Sequence, residues 1–215
     1  MKTLIVGYGQ IGKALNKVLA DYNPTCLDVN DSIDETFEII HICFGYSEDF
    51  IWQVREYQAK YRPKYTVIHS TVPVGTSEAL NASHSPIRGI HPHLEHGIRT
   101  FVKFLGGPQA SEIADYFRRV GLKIMLFDKS QTTEAMKLFD TEYYRACIEF
   151  TQRVKKYCDS HNLNFHEVYT LANQTYNEGY KELNHPEFIR PVLQPILTPI
   201  GGHCVVPNSK LIDDL

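Results

Sequence analysis

The chain has 215 residues, 43% of them hydrophobic and 22% charged, an ordinary globular balance that excludes disordered and fibrous classes. Lys and Arg number 22 against 25 Asp and Glu, a formal net charge of −3, so there is no basic excess of the kind that binds nucleic acid through its phosphates. No apolar run approaches the roughly 18 residues of a membrane span, and no signal-peptide pattern precedes the first strand, so no membrane partner and a cytoplasmic location are expected.

In chain order, strand and helix patterns alternate. Lys2 to Val6 is a short apolar run, and a glycine-rich turn follows it. Gln10 to Asp21 carries Ile11, Ala14, Leu15, Val18 and Leu19 at helical spacing. Strands are predicted at Thr25–Val29, at Ile39–Phe44 and at Tyr65–His69, with a helix over Asp49–Tyr61. The Ile39 run is almost wholly apolar, as a strand covered on both faces should be. Weaker strands are predicted at Ile87–His91, Phe101–Leu105 and Lys123–Phe127, with a helix at Ser111–Val120 between the last two. Such alternation predicts an α/β fold: a Rossmann-type, doubly wound parallel sheet with helices on both faces.

The texture then changes. No glycine occurs between Gly121 and Gly179 and no proline between Pro108 and Pro186, so Gln131 to Ser160 can run as one long helix. Phe139, Tyr143, Ala146, Phe150, Val154 and Tyr157 form one stripe along it. The stripe suits either packing within its own domain or a homodimer formed through the helix. Shorter helices are predicted at Asn164–Leu171 and Gln174–Leu183, followed by irregular, proline-marked loops from Pro186. At roughly 150 residues per domain, the expected organisation is a Rossmann-type α/β domain over 1–128 and a smaller all-helical unit over 129–215. The five cysteines are scattered with no C-x-x-C pair, so disulfides are not expected.

Four strings carry chemistry. Gly7-Tyr8-Gly9-Gln10-Ile11-Gly12 is G-x-G-x-x-G between a strand and a helix, the context in which the motif binds a dinucleotide. Gly7 permits the turn, Gly9 admits a pyrophosphate to the backbone, and Gly12 lets helix and strand pack closely. The helix N-terminus offers unpaired N–H groups and positive dipole to phosphate. Asp28 ends the second strand about 20 residues after Gly7, where an acid accepts bonds from the ribose hydroxyls. No arginine follows it nearby, so NAD is expected rather than NADP. The second string, from Ser70 and Thr71 to Ser77, lies after the fourth strand, at the edge where open α/β sheets bind ligands. Thr76 or Ser77 can also serve there as a helix cap.

The third string is on the long helix, where Lys137 and Thr141 are four apart and share a face. The fourth, Gly201-Gly202-His203-Cys204, places a thiol beside a histidine in a proline-bounded loop. Cys204 there is either a nucleophile of lowered pKa or a stray thiol. His91, His93 and His96, with Glu95 among them, can be weighed as a metal site. Close spacing is their only support, and the expectation is a histidine-lined cleft with no metal.

GYGQIG with LDVN, STVPVGTS, the Glu134–Arg145 helix segment around Lys137, and GGHCVVPN occur in the order found in the UDP-glucose and GDP-mannose (nucleotide-sugar 6-) dehydrogenase family, which the chain resembles to about Asn208. The resemblance implies an NAD-binding domain and a long central helix that commonly forms a dimer. It implies that Cys204 is the nucleophile that attacks an aldehyde intermediate, that Lys137 stabilises an oxyanion, and that Thr71 helps to position the catalytic water. Three departures accompany it. Thr141 stands where the family has Asn, Asn208 where it has Asp, and Pro92-His93 where it usually has Pro-Glu. His93 can substitute as a general base, but with no acid at two positions thioester hydrolysis is expected to be slow. The family's further nucleotide-sugar-binding domain would follow Leu215, so a separate chain supplying that domain is one expected partner. The expected function is an NAD-dependent oxidoreductase of an alcohol or sugar. The alternatives are a non-catalytic NAD-binding sensor or subunit, and a two-electron hydroxyacid-type dehydrogenase.

Overall fold

A computed structural model of the protein describes residues 1–29, 31–90, 92–195, 208 and 210–212. The first unit, Met1–Leu138, is built on β1 (Thr3–Val6), α1 (Gln10–Val18), β2 (Thr25–Leu27), β3 (Ile39–Ile42), α2 (Phe50–Tyr61), β4 (Tyr65–Ile68), α3 (Thr76–Ala79), β5 (Ser83–His84), α4 (Leu94–Thr100), β6 (Lys103–Gly106), α5 (Ala110–Arg119) and β7 (Ile124–Phe127). The strands form one sheet in the order β2-β1-β3-β4-β5-β6-β7. All neighbours are parallel except β5 and β6. Successive side chains of a strand point to opposite faces, and the core divides accordingly. Ile5, Ile39 and Val67 pack with α1, α4 and α5, whereas Leu4, Val6, Ile40, Ile42 and Ile68 pack with α2. The doubly wound α/β arrangement expected from the alternating pattern is therefore present.

Register sets the position of the site. Val6 pairs with both Leu27 and Ile42, Ile42 with Ile68, and Ile68 with His84. The residues that leave these strands, Gly7, Cys43, His69 and Ser85, thus form one carboxyl edge. The chain goes one way from β1 to β2 and the other way to β3, which makes that point the crevice where such sheets bind ligands.

One strand is misplaced by sequence pattern. Ile87–His91 is predicted as a strand, but 87–90 form a loop and β5 is the two-residue Ser83–His84; His91 lies outside the described residues. Polar residues occupy β5 because each polar atom is bonded: Ser83 Oγ to the Pro108 carbonyl and His84 to groups described below. Gly89, at φ +143, lies against Gly97 of α4, where an added Cβ would come within 3.1 Å of the Gly97 Cα. The apolar Ile90 is 74% exposed.

The sheet also buries a polar cluster that apolar patterning misses. His69 donates from Nδ1 to the Ser85 carbonyl (2.7 Å), so its neutral Nε2 accepts from His41 Nδ1 (3.0 Å). His41 Nε2 finds no partner among the described residues. The buried Lys103 ammonium donates to the Ser85 and Pro86 carbonyls (3.2 and 3.4 Å) and lies 5.5 Å over the Phe117 ring. No carboxylate among the described residues pairs with it.

α6 (Ser130–Ser160) is the predicted long helix, 31 residues or about 46 Å at 1.5 Å per residue. The second unit begins within it, at Phe139. There α6 is followed by a π-helical segment, His166–Leu171, that runs into α7 (Ala172–Glu182). Tyr169 is the polar hub of this unit. Its hydroxyl donates to the Pro191 carbonyl and accepts from the Leu193 N–H, both at 3.3 Å, and lies 3.1 Å from Thr151 Oγ1. Most of the stripe on α6 is exposed, although the Phe150 ring lies 6.5 Å from that of Tyr169. Phe139, Tyr143, Phe150 and Tyr157 are each more than half exposed, while Ile148, Thr151 and Cys158, on another face, are buried. No helix among the described residues is long and apolar enough to cross a membrane.

The buried bases give stability a definite pH dependence. Burial lowers His41 from 6.5 to about 3 and Lys103 from 10.5 to about 7, with nearby positive charge as a lesser cause. In each case the unfolded chain binds more protons between the two values, so stability rises with pH through both windows. Stability is expected to fall as pH drops below about 6.5, the ordinary histidine value. Lys103→Met should flatten the rise between pH 7 and 10.5. Urea unfolding of both proteins at pH 5, 7 and 10 measures this, and an unchanged slope in Lys103→Met contradicts it.

Candidate functional site

The first part of the site is the turn from β1 into α1. Gly7 has φ +91, and a Cβ on it would lie 2.7 Å from the Phe44 backbone nitrogen. A Cβ on Gly12 would lie 2.2 Å from the Gly7 carbonyl oxygen, whereas one on Gly9 would meet nothing within 4 Å. Two of the three glycines are therefore needed by the fold, and the third faces open space. Gly9 also precedes α1 without a side-chain cap, so the first-turn N–H groups are available to an anion. Tyr8 folds back on α1, its hydroxyl accepting from Asn16 Nδ2 (3.0 Å). Gln10 opens the helix on the surface, and Ile11 packs against the core. Asp28 is exposed just past β2, where its Oδ1 takes the Val29 N–H (2.9 Å) and its own N–H donates to Asp31 Oδ2 (3.1 Å). The second carboxylate, Asp31, is legible in the string DVND only once the turn is known. The open Gly9, the uncapped helix end and the acid after β2 fit a dinucleotide: pyrophosphate at the first, ribose at the last.

The second part is the carboxyl edge at β4 and β5, met by the start of α6. Ser70 Oγ donates to the Phe44 carbonyl (2.5 Å), so the Ser70 loop and the Gly7 turn meet at Phe44. Thr71 is half-buried. The expected cap on α3 is not made by Thr76 or Ser77. Gly75, at φ +96, is the N-cap residue, and Glu134 of α6 supplies the acceptors. Its carboxylate takes the Gly75 N–H at 2.7 Å and the Ser77 N–H at 2.8 Å. Thr76 Oγ1 instead donates to the Pro73 carbonyl (2.7 Å). A carboxylate reaches from farther than a hydroxyl and serves two donors at once.

Lys137, one turn along α6 from Thr133 and half-buried, donates to the Ile87 carbonyl at 3.0 Å. His84 is fully buried close by. It donates from Nε2 to the Ser70 carbonyl (3.2 Å) and lies 2.9 Å from Thr133 Oγ1 through Nδ1. Burial pushes His84 down to about 3, and the positive charges of Lys103 and Lys137 add to the effect. Sequence reasoning assigned no role to His84, Thr133 or Glu134. His84 lies in a stretch with no strand pattern, and the other two look like ordinary helix polar residues.

Thr141 is half-buried on α6, one turn beyond Lys137 and in the second unit. Asn208 is buried there, its Nδ2 without a partner among the described residues. Cys204, with Gly201, Gly202 and His203, lies outside the described residues. His93 is exposed at the start of α4 and makes no side-chain cap bond. His96 is exposed on α4, and His91 is outside the described residues. Among the described residues no group of three or more His, Cys, Asp and Glu is placed to hold a metal ion. Cys26, Cys43, Cys147 and Cys158 are free thiols, and burial raises the Cys43 thiol far above its ordinary range.

Sheet order and edge together define a Rossmann-like α/β unit followed by a long helix. No protein-family model and no curated protein sequence matches the chain. Among solved structures, UDP-D-ManNAc dehydrogenase from Pyrococcus horikoshii is similar over 99% of this chain and 64% of that one, at TM-score 0.80 and 17% identity. A UDP-glucose dehydrogenase from Pyrobaculum islandicum is similar over 80% and 56%, at TM-score 0.63 and 17% identity. A conserved protein of unknown function, described as structurally similar to 3-hydroxyacid dehydrogenases, is similar over 87% and 81%, at TM-score 0.62 and 13% identity. The structural neighbours are thus UDP-sugar dehydrogenases and related enzymes, and this chain spans less than two thirds of the UDP-sugar enzymes' length.

The glycine contacts separate fold from function by mutation. Gly12→Ala should destabilise the protein by about 1–3 kcal/mol, the usual cost of overpacking, because its Cβ strikes a backbone oxygen. Gly9→Ala should leave the urea midpoint close to wild type. Equal losses in the two variants would contradict this division.

Proposed function

We propose that the protein is an NAD-dependent oxidoreductase acting on the CH–OH group of an alcohol or sugar, in the manner of the nucleotide-sugar dehydrogenases that share its fold. The observation that carries this reading is the pairing of an open Gly9 cradle with Lys137, which is fixed at the same carboxyl edge. Paired carboxylates at Asp28 and Asp31 favour NAD over NADP, since a 2′-phosphate there meets like charge. A nicotinamide dinucleotide held by the Gly7–Gly12 turn supplies the hydride acceptor. Lys137 stabilises negative charge on the substrate oxygen as the hydroxyl gives up its proton, and His93 is the residue proposed to receive that proton. For oxidation beyond the aldehyde, the Cys204 thiolate adds to the carbonyl carbon. The resulting thiohemiacetal oxygen would bear the charge that drives a second hydride to a second oxidised nicotinamide dinucleotide, leaving a thioester that water would cleave to acid and free thiol. Thr71 positions that water, and Thr141 and Asn208 complete the polar surroundings in this scheme. Because Asn208 cannot take a proton as a carboxylate does, cleavage is slow.

A two-electron oxidation that stops at the carbonyl is the second reading. It is favoured by Thr141 and Asn208, which supply no acid, and by the likeness to a protein compared with 3-hydroxyacid dehydrogenases. A non-catalytic NAD-binding subunit, partnered by a chain that carries a nucleotide-sugar domain, would bind the cofactor and turn over nothing. A cytoplasmic location belongs to the same reading.

NADH should bind more tightly than NADPH in a fluorescence titration, and Gly9→Ala should weaken NADH binding at least about tenfold by blocking the backbone approach. Binding of neither cofactor would end the proposal. In a screen of NADH production over alcohols, sugars and nucleotide sugars, Lys137→Ala should lose all turnover found. Cys204→Ser should lose only the aldehyde step, while wild type accumulates a covalent adduct visible by intact-protein mass spectrometry. A Cys204→Ser enzyme with full activity would favour the two-electron reading.

We also propose that two copies pair through the exposed α6 stripe. Light scattering should show a dimer, and Tyr143→Glu with Phe150→Glu should give a monomer. A monomeric wild type would refute the pairing.

A further inference from the structure

We infer that His84 is a positioning residue for Lys137, setting the direction in which the lysine points by tying its helix to the Ser70 carbonyl. The inference rests on the reading above, in which Lys137 acts on the substrate oxygen. It starts from the geometry of a helix held at its first turns. Glu134 anchors α6 to the Gly75 and Ser77 N–H groups. One anchor fixes where a helix lies but leaves it free to turn about its own axis. A second anchor one residue away, about 100° round the helix, removes that freedom. Thr133 is that anchor, and its partner across the edge is His84. Residues four apart differ by only about 40° in direction, so the bond at Thr133 aims the face on which Lys137 lies.

The bonds suit a fixed strut. A carbonyl only accepts, so His84 Nε2 must carry the proton that bonds Ser70. The neutral ring then offers Nδ1 to the single proton of the Thr133 hydroxyl, for which the Ser130 carbonyl at 2.9 Å is another acceptor. Every polar atom of this buried ring is used, and both ends are held. The Ser70 end is itself fixed, because Ser70 Oγ donates to the Phe44 carbonyl, beside the Gly7 turn. The chain of contacts therefore runs from the dinucleotide turn through Ser70, His84 and Thr133 to the lysine. His84 does not meet substrate in this scheme; it sets the distance between the two halves of the site.

Residue-resolved acetylation by a limiting amine-reactive reagent, read by peptide mass spectrometry, tests this without requiring turnover. Thr133→Val removes the hydroxyl at constant volume. His84→Gln keeps a donor for Ser70 and loses the acceptor for Thr133. In both, Lys137 should be labelled about tenfold faster than in wild type, as expected when a charge-assisted bond to the Ile87 carbonyl is loosened. Lys17, whose side chain is 69% exposed, should be labelled at an unchanged rate, which shows that the fold is kept. Thr133→Ser, which retains the hydroxyl, should restore the wild-type rate. An unchanged Lys137 rate in Thr133→Val overturns the inference, as does failure of Thr133→Ser to restore it. In an active enzyme, Thr133→Val should lower kcat and leave the Kd for NADH unaltered. If Lys137→Ala keeps full turnover, the catalytic reading fails while the labelling result still decides the role of His84.

Discussion

A helix of 31 residues can be used as a rigid arm only if its root is held, and here a buried carboxylate holds it. Glu134 is fully buried, and no cation among the described residues forms an ion pair with it. Its charge is stabilised by two backbone N–H groups of the α3 turn, the arrangement that makes a buried carboxylate tolerable. The STVPVGTS string is thus first a socket for the long helix. The Gly75 turn, the placement of Thr133 and the location of Lys137 all depend on that socket being filled.

The same economy appears at the Gly7–Gly12 turn. Gly7 touches the backbone of the segment leaving β3, and Gly12 touches Gly7, so β1, α1 and the β3 exit are packed to backbone contact. Gly9, between them, carries no such constraint. Close packing on both sides of an open position is what lets a charged ligand approach main-chain N–H groups without the loop collapsing onto them. Phe44 belongs to both halves of the site, through its nitrogen beside Gly7 and its carbonyl under Ser70.

Beneath this edge lies a polar interior unusual for the middle of a parallel sheet. Lys103, His69 and His41 sit where apolar side chains would be cheaper to bury. Their hydrogen bonds explain how they are accommodated, and they grip the Ser85 and Pro86 carbonyls, just before the Ile87 carbonyl that holds Lys137. Three consecutive carbonyls of one loop are therefore held by two lysines, Lys103 from within the sheet and Lys137 from α6. This loop is the one mistaken for a strand on pattern alone.

The amino-acid sequence by itself determined the elements whose signals are local. The G-x-G-x-x-G turn, the alternation of apolar runs and helix periods, and the long tract free of glycine and proline led directly to β1, α1, the doubly wound sheet and α6. It also marked Gly9, Asp28 and Ser70 as residues that follow strands, because position after a strand is a local property. Only the tertiary structure decided what depends on partners far along the chain. Glu134 reaches Gly75 across 59 residues and His84 meets Thr133 across 49, and no spacing rule connects such pairs. The two-residue β5 was hidden because its burial is made possible by hydrogen bonds from other elements rather than by apolar side chains. The stripe of α6 was visible as a pattern, but its exposure was not, since a pattern shows which residues share a face and says nothing of what covers them.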